Sequence, residues 1–146
     1  MPPVLNQINI VVRDMKASVE FYRRLGLTVD PPPGKWAEHH VEVKLPGDMT
    51  LELDSTASAK IWNTGAQPLV GNRSVIVGFA LDSRDEVDDL YAQLTAAGDL
   101  GQLAPYDAFW GARYAIVEDP DGNGIGLMSP IDPARRSPWP DPNTVE

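Results

Sequence analysis

The chain repeats itself. A shift of 69 residues lays Ile8 on Val77, Ile10 on Phe79, Val12 on Leu81 and Asp14 on Ser83, then Phe21-Tyr22 on Leu90-Tyr91 and Leu25 on Leu94. Self-similarity at one offset marks a duplicated supersecondary unit, so the fold must be made of two copies of one module. In the first copy, Gln7 to Val12 alternates: Ile8, Ile10 and Val12 form one face of a strand, and Gln7, Asn9 and Val11 the other. Asp14 follows as a helix N-cap, worth about 1 kcal/mol over alanine. Met15, Val19, Tyr22 and Leu25 recur at helical spacing, and Gly26 stops the helix. The second copy runs the same way. A strand over 75–81 is followed by Ser83-Arg84-Asp85-Glu86, a capping box, and by a stripe of Val87, Leu90, Tyr91 and Leu94 that Gly98 ends. Phe21, Tyr22, Leu90 and Tyr91 are expected in the core.

The rest of each copy reads as strands. Pro31-Pro32-Pro33-Gly34 is a loop. From Glu38 to Leu45 the alternation puts His39, Val41 and Val43 on one face and His40, Glu42 and Lys44 on the other. After a turn at Gly47-Asp48, Met49 to Leu53 pairs with it, with Glu52 opposite Leu51 and Leu53. With a short strand after Gly26, the first copy is a βαβββ module. In the second, residues 103–110 are a strand or extended loop, and Tyr114 to Met128 is a hairpin around Asp119-Pro120-Asp121-Gly122-Asn123. The expected organisation is one domain over 1–130, with modules at 5–54 and 73–130 and a polar connector at 55–72 carrying Trp62. A Pro-rich tail follows at 131–146, and its Trp139 suggests partial docking.

Composition narrows the function. The 146 residues carry a net charge of −9, with 12 scattered Lys and Arg, which excludes the basic face of a nucleic-acid binder and disfavours an anionic membrane. Cysteine is absent, so there is no disulfide framework, thiolate metal site or cysteine nucleophile. No stretch has transmembrane length and the N-terminus has no signal-peptide pattern; the expected location is cytoplasmic. No Ser-His-Asp order, phosphate loop or dinucleotide fingerprint is present.

The duplicated βαβββ pattern, Val12-Arg13-Asp14 with Phe21-Tyr22 and Leu25-Gly26-Leu27, and the Asp119-Pro120-Asp121-Gly122-Asn123 turn together resemble the vicinal oxygen chelate superfamily. That is the glyoxalase I, bleomycin-resistance protein and extradiol dioxygenase group. The resemblance covers about residues 5 to 130. It implies an α+β fold of two βαβββ modules forming a curled, partly open mixed-sheet barrel around a cavity, and a homodimer. In metal-dependent members, four cavity-side positions on the first and last strands of the modules hold His, Gln or Glu. Carried onto this chain they are Gln7, Glu52, Ile76 and Gly126. Two keep a coordinating side chain and both in the second module do not. His40 could be recruited, giving a weak metal set of Gln7, Glu52 and His40. No cofactor is expected, a divalent metal being the less favoured outcome.

The leading expectation is a protein that binds a small, partly aromatic and cationic molecule without metal catalysis, in a cavity lined by Gln7, Asn9, His40, Glu52, Trp110 and Arg113. Buried carboxylates are normally paired, so Glu52 needs a partner, with His40, Lys44 and Arg113 as candidates. Left dry and unpaired, it becomes a candidate catalytic base. His39 and His40 are adjacent in a strand, point to opposite faces and cannot share a metal. Trp36, Trp62, Tyr106, Phe109 and Trp110 either cap the sheets or stack on a ligand. Two other readings remain: a metal-dependent lyase, isomerase or dioxygenase with an atypical ligand set, and a structural or regulatory domain with a filled cavity.

Overall fold

The structure is a computed structural model that describes residues 2, 5, 7–62, 75–138 and 140. The connector beyond residue 62, the Trp62 side chain, Trp139 and the end of the tail lie outside the described residues. The chain divides into two units: residues 1–72 with 119–122, and residues 73–118 with 123–146. Each carries one module, and the fold is α+β.

In the first unit, strand β1 (Gln7–Val12) leads to helix α1 (Met15–Leu25), followed by strands β2 (His40–Lys44) and β3 (Thr50–Ser55) and helix α2 (Thr56–Trp62). Asp14 caps α1 as expected, its carboxylate accepting from the Ala17 amide at 3.1 Å. Gly26 ends the helix in the left-handed region at φ 111°. The sheet order is β1-β3-β2, with β1 parallel and β2 antiparallel to β3. Period-two alternation sends Ile10, Val12, Val41, Val43, Leu51 and Leu53 into the core, where they join Met15, Val19, Phe21, Tyr22 and Leu25 of α1.

Three expectations change here. No strand follows Gly26; residues 27–33 are irregular and a 3-10 helix spans Gly34–Glu38. Proline has no amide to give a ladder, so Pro31-Pro32-Pro33 cannot serve as an internal strand. His39 caps that 3-10 helix instead of joining β2. The connector does not begin at residue 55, because β3 runs through Ser55 and α2 occupies 56–62.

The second unit is a complete βαβββ module: β4 (Ile76–Ala80), α3 (Arg84–Ala96), β5 (Gly101–Asp107), β6 (Arg113–Glu118) and β7 (Gly124–Met128). Its sheet order is β4-β7-β6-β5, with β4 parallel to β7 and the others antiparallel. The Ser83 cap forms, the Glu86 amide donating to Ser83 Oγ, while the Glu86 carboxylate accepts from the Asp82 amide, one residue before the cap, in place of the Ser83 amide of a capping box. Val87 and Leu94 are fully buried, whereas Leu90 and Tyr91 are only half-buried, so these last two are not core. The first part of the tail is tied to this unit. The Asp132 amide donates to the Gly111 carbonyl and the Ser137 amide to the Phe109 carbonyl. Neither sheet closes on itself, and no helix among the described residues is long and apolar enough to cross a membrane.

Candidate functional site

The side of the first sheet away from its core carries the polar residues. In the β1–β3 pair, Asn9 stands opposite Glu52 and Val11 opposite Asp54; in the β2–β3 pair, His40 stands opposite Asp54. Alternation therefore groups Gln7, Asn9, His40, Glu52 and Asp54 on one face. A cavity of about 780 Å³ opens on that face, lined by these residues and by Pro32, Pro33, Trp36 and Ser58. The prolines and Trp36 come from the irregular segment and the 3-10 helix, and Ser58 from α2. A smaller hollow of about 250 Å³ shares Trp36 and Ser58 with it.

Asp54 organises the floor. It is 1% exposed. Its Oδ2 accepts from Asn9 Nδ2 at 3.2 Å, and its Oδ1 accepts from Ser58 Oγ at 3.1 Å and from His40 Nδ1 at 2.8 Å. Asn9 Oδ1 in turn accepts from Gln7 Nε2 at 3.1 Å. An ionised carboxylate only accepts, so the proton between Asp54 and the ring is assigned to His40 Nδ1. His40 Nε2 lies 3.8 Å from Glu52 Oε1, an ion-pair separation beyond hydrogen-bond length. His40 is thus the partner of Glu52 among the three expected. His39 turns elsewhere, with Nδ1 2.8 Å from Ser55 Oγ and its ring edge-on to Trp36.

Of the expected site residues, the cavity takes Gln7, Asn9, His40 and Glu52. Trp110 and Arg113 belong to the second unit and have contacts of their own. Trp110 packs edge-on against Phe109, Tyr114 and Tyr106, with Nε1 3.4 Å from Met128 Sδ. Arg113 pairs with Asp88 at 2.9 Å and Asp107 at 3.2 Å, not with Glu52. The hydrogen bond to Asp88 holds its guanidinium above the ordinary value. Burial, then the neighbouring Tyr106, raises the Tyr114 phenol. A Cβ at Gly111 would meet the carbonyl oxygen of Asp132, so the tail closes over that position.

Sequence reasoning missed Asp54 and Ser58. Asp54 shares the strand parity of Glu52, so a β3 drawn one residue longer would have found it. Ser58 sits on a helix of 7 residues, too short to show a periodic stripe.

The four positions onto which the resemblance carries a metal site, Gln7, Glu52, Ile76 and Gly126, do not fit a metal here. Ile76 offers no donor atom. Gly126 has no side chain, and a Cβ there would meet the Tyr114 hydroxyl at 3.0 Å and Ile76 Cγ2 at 3.3 Å. Among the described residues no group of three or more His, Cys, Asp or Glu is arranged to hold a metal ion.

Comparison with known proteins agrees with the two-module reading. Residues 4–127 match the model of the Glyoxalase/Bleomycin resistance protein/Dioxygenase superfamily. The chain is 35% identical over 129 residues to the uncharacterized protein YraH of Bacillus subtilis (strain 168), covering 84% of this chain and 95% of that one. Among solved structures, a glyoxalase/bleomycin resistance protein/dioxygenase from Nocardioides is similar at 25% identity and TM-score 0.68, over 90% of this chain and 86% of that one. A glyoxalase-related enzyme from Fulvimarina pelagi has the same fold, with TM-score 0.75 at 18% identity, over 87% of this chain and 88% of that one. The chain belongs to the glyoxalase/bleomycin resistance protein/dioxygenase superfamily.

Proposed function

We propose that the protein binds a small, partly aromatic molecule in the first-unit cavity, without metal catalysis. The observation that carries this reading is a cavity of about 780 Å³ that combines the Trp36 ring with an acidic polar floor. That volume lies within the range of roughly 300–1,000 Å³ usual for small-molecule sites. Trp36 is half exposed and offers its face to a planar group. Asp54 is committed to three donors, so Glu52, with 15% of its side chain exposed, is the carboxylate left for a ligand. A hydrogen-bond donor or a positive charge on the ligand suits it. The reading uses Gln7, Asn9, His40 and Glu52 and does not need Trp110 or Arg113. A homodimer in the cytoplasm completes it, supported by the exposed Ile76, Leu103 and Tyr106 and by the cysteine-free sequence.

A thermal-shift screen of planar amines and neutral planar heterocycles tests this. A ligand at about 100 times its Kd stabilises the folded form by about 2.7 kcal/mol. For a chain of this size that is a rise of several degrees in Tm. Trp36→Ala should remove most of the shift while leaving the unliganded Tm within about 2 °C, because an exposed side chain contributes little to stability. A shift that survives both Trp36→Ala and Glu52→Gln would place the ligand outside this cavity.

A further inference from the structure

We propose that the ligand of the first-unit cavity is an aromatic zwitterion, and that the adjoining hollow of about 250 Å³ takes its carboxylate beside Lys35. The proposal rests on the cavity being the ligand site. The hollow and the cavity meet at Trp36 and Ser58, which line both. The hollow is smaller than the roughly 300 Å³ at which whole small-molecule sites begin. It therefore suits one end of a molecule whose body lies in the larger space.

The two spaces carry opposite charge. Glu52 and Asp54 border the cavity, and no Lys or Arg does. Lys35 borders the hollow, and no Asp or Glu does. In a chain with 21 acidic and 12 basic residues, a recess lined by a cation and by no acid runs against the overall balance. The Lys35 ammonium has no ion-pair or hydrogen-bond partner among the described residues, so nothing described in the fold competes with a ligand for it. The remaining walls are largely apolar. Helix α2 brings Ala57 and Ile61, one helical turn apart, to the hollow, and Ile61 is left 72% exposed. The His39 ring stands edge-on to Trp36 while its Nδ1 is held at Ser55 Oγ, so the indole has a fixed support on one side. A lysine that served solubility alone would need no recess walled by Trp36 and Ile61. An aromatic body on Trp36, a positive end at Glu52 and a carboxylate at Lys35 answer the charges that border both spaces.

The test is isothermal titration calorimetry of the full chain with 4-(aminomethyl)benzoate and with its carboxamide, which keeps only the positive end. A second acid and amide pair, with a longer methylene arm before the carboxyl group, covers a wider separation of the charges. In the better-fitting pair the acid should bind about fivefold more tightly than the amide at low salt, the span of an exposed ion pair. That margin should shrink in about 1 M salt, where such pairs are screened. Lys35→Gln should bring acid and amide to within about 1.5-fold of each other, and Lys35→Glu should make the amide the tighter of the two. Both variants change an exposed side chain and should keep the wild-type melting temperature. Glu52→Gln should weaken acid and amide alike and leave the margin between them. An acid that binds no more tightly than its amide in either pair overturns the proposal, as does a margin that survives Lys35→Gln; the cavity reading then stands by itself if the amide still needs Trp36 and Glu52. Amide binding that is unmoved by both Trp36→Ala and Glu52→Gln, or no binding by any of the four compounds, overturns the cavity reading and the proposal with it.

Discussion

Asp54 holds three side chains at once, taking hydrogen bonds from Asn9, Ser58 and His40 through its two oxygens. Removing it leaves these donors to find water. Asn9 and His40 are open enough to do so, but Ser58 is 7% exposed. An unsatisfied buried donor costs about 1–3 kcal/mol. Asp54→Ala should therefore destabilise the protein by about 2 kcal/mol, read as a lower urea midpoint at unchanged m-value. A loss below about 0.5 kcal/mol would mean that the network is replaced by solvent without penalty. Much of this floor was legible. Gln7, Asn9, His40 and Glu52 follow from period-two alternation, which assigns faces without knowing what packs on them. Asp54 was hidden by an edge, since the end of a strand depends on hydrogen bonds that no residue pattern records. The partners of Arg113 were not legible for a related reason: its two aspartates are 25 and 6 residues away, and only the fold chooses between them and Glu52.

The repeat holds down to the register of single strand pairs. Gln7 pairs with Thr50 in the first sheet, and the equivalent Ile76 pairs with Gly124 in the second. One step on, Asn9 opposite Glu52 becomes Gly78 opposite Gly126. The polar pair that helps build the first cavity is replaced by two bare glycines, and the space over Gly126 is taken by Tyr114 and Ile76. A methyl group at Gly126 must displace the Tyr114 hydroxyl, 3.0 Å from where it would sit. Gly126→Ala should accordingly be less harmful in a Tyr114→Phe background, with a coupling of about 0.5 kcal/mol or more in a double-mutant cycle. Strict additivity would show that Tyr114 moves aside freely. The modules also differ in strand number, and here the sequence was half readable. The caps at Asp14 and Ser83 announced both helices, but symmetry argued for a strand after Gly26 where three consecutive prolines argued against it. The local chemistry won.

At the scale of the whole chain, the path crosses between the two units three times: once near residue 72 and at both ends of the 119–122 turn. That turn, which joins β6 to β7, belongs to the first unit, and α1 with its flanking residues holds it. The Tyr22 hydroxyl donates to Asp119 Oδ2 at 2.8 Å, while Asp121 accepts from the Arg13 amide and Nε and from Ser18 Oγ. Within the first unit, the two carboxylates of the stretch that carried the family resemblance are therefore tied to α1 and its flank, each 4% exposed. This hydrogen-bonded cluster has a pH signature. Burial, then the charge of Asp119, its hydrogen bond and the charge of Asp121, hold the Tyr22 phenol well above its ordinary value of 10.0. A group whose pKa is raised by folding contributes stability that is fully present below the unfolded value and lost as pH rises through the folded one. Above about pH 10 the unfolded chain sheds this proton while the native state keeps it, so the native state weakens. Tyr22→Phe cannot lose that proton. At neutral pH it should be less stable than wild type by about 1–3 kcal/mol, the worth of a hydrogen bond to a charged group. In urea titrations from pH 7 to 11, that gap should hold steady to about pH 10 and then narrow as the wild type alone declines. The three other tyrosines are common to both proteins and cancel in the difference. A gap that stays constant to pH 11 would mean that Tyr22 ionises alike in both states, and that the turn is held by Arg13 and Ser18 without it.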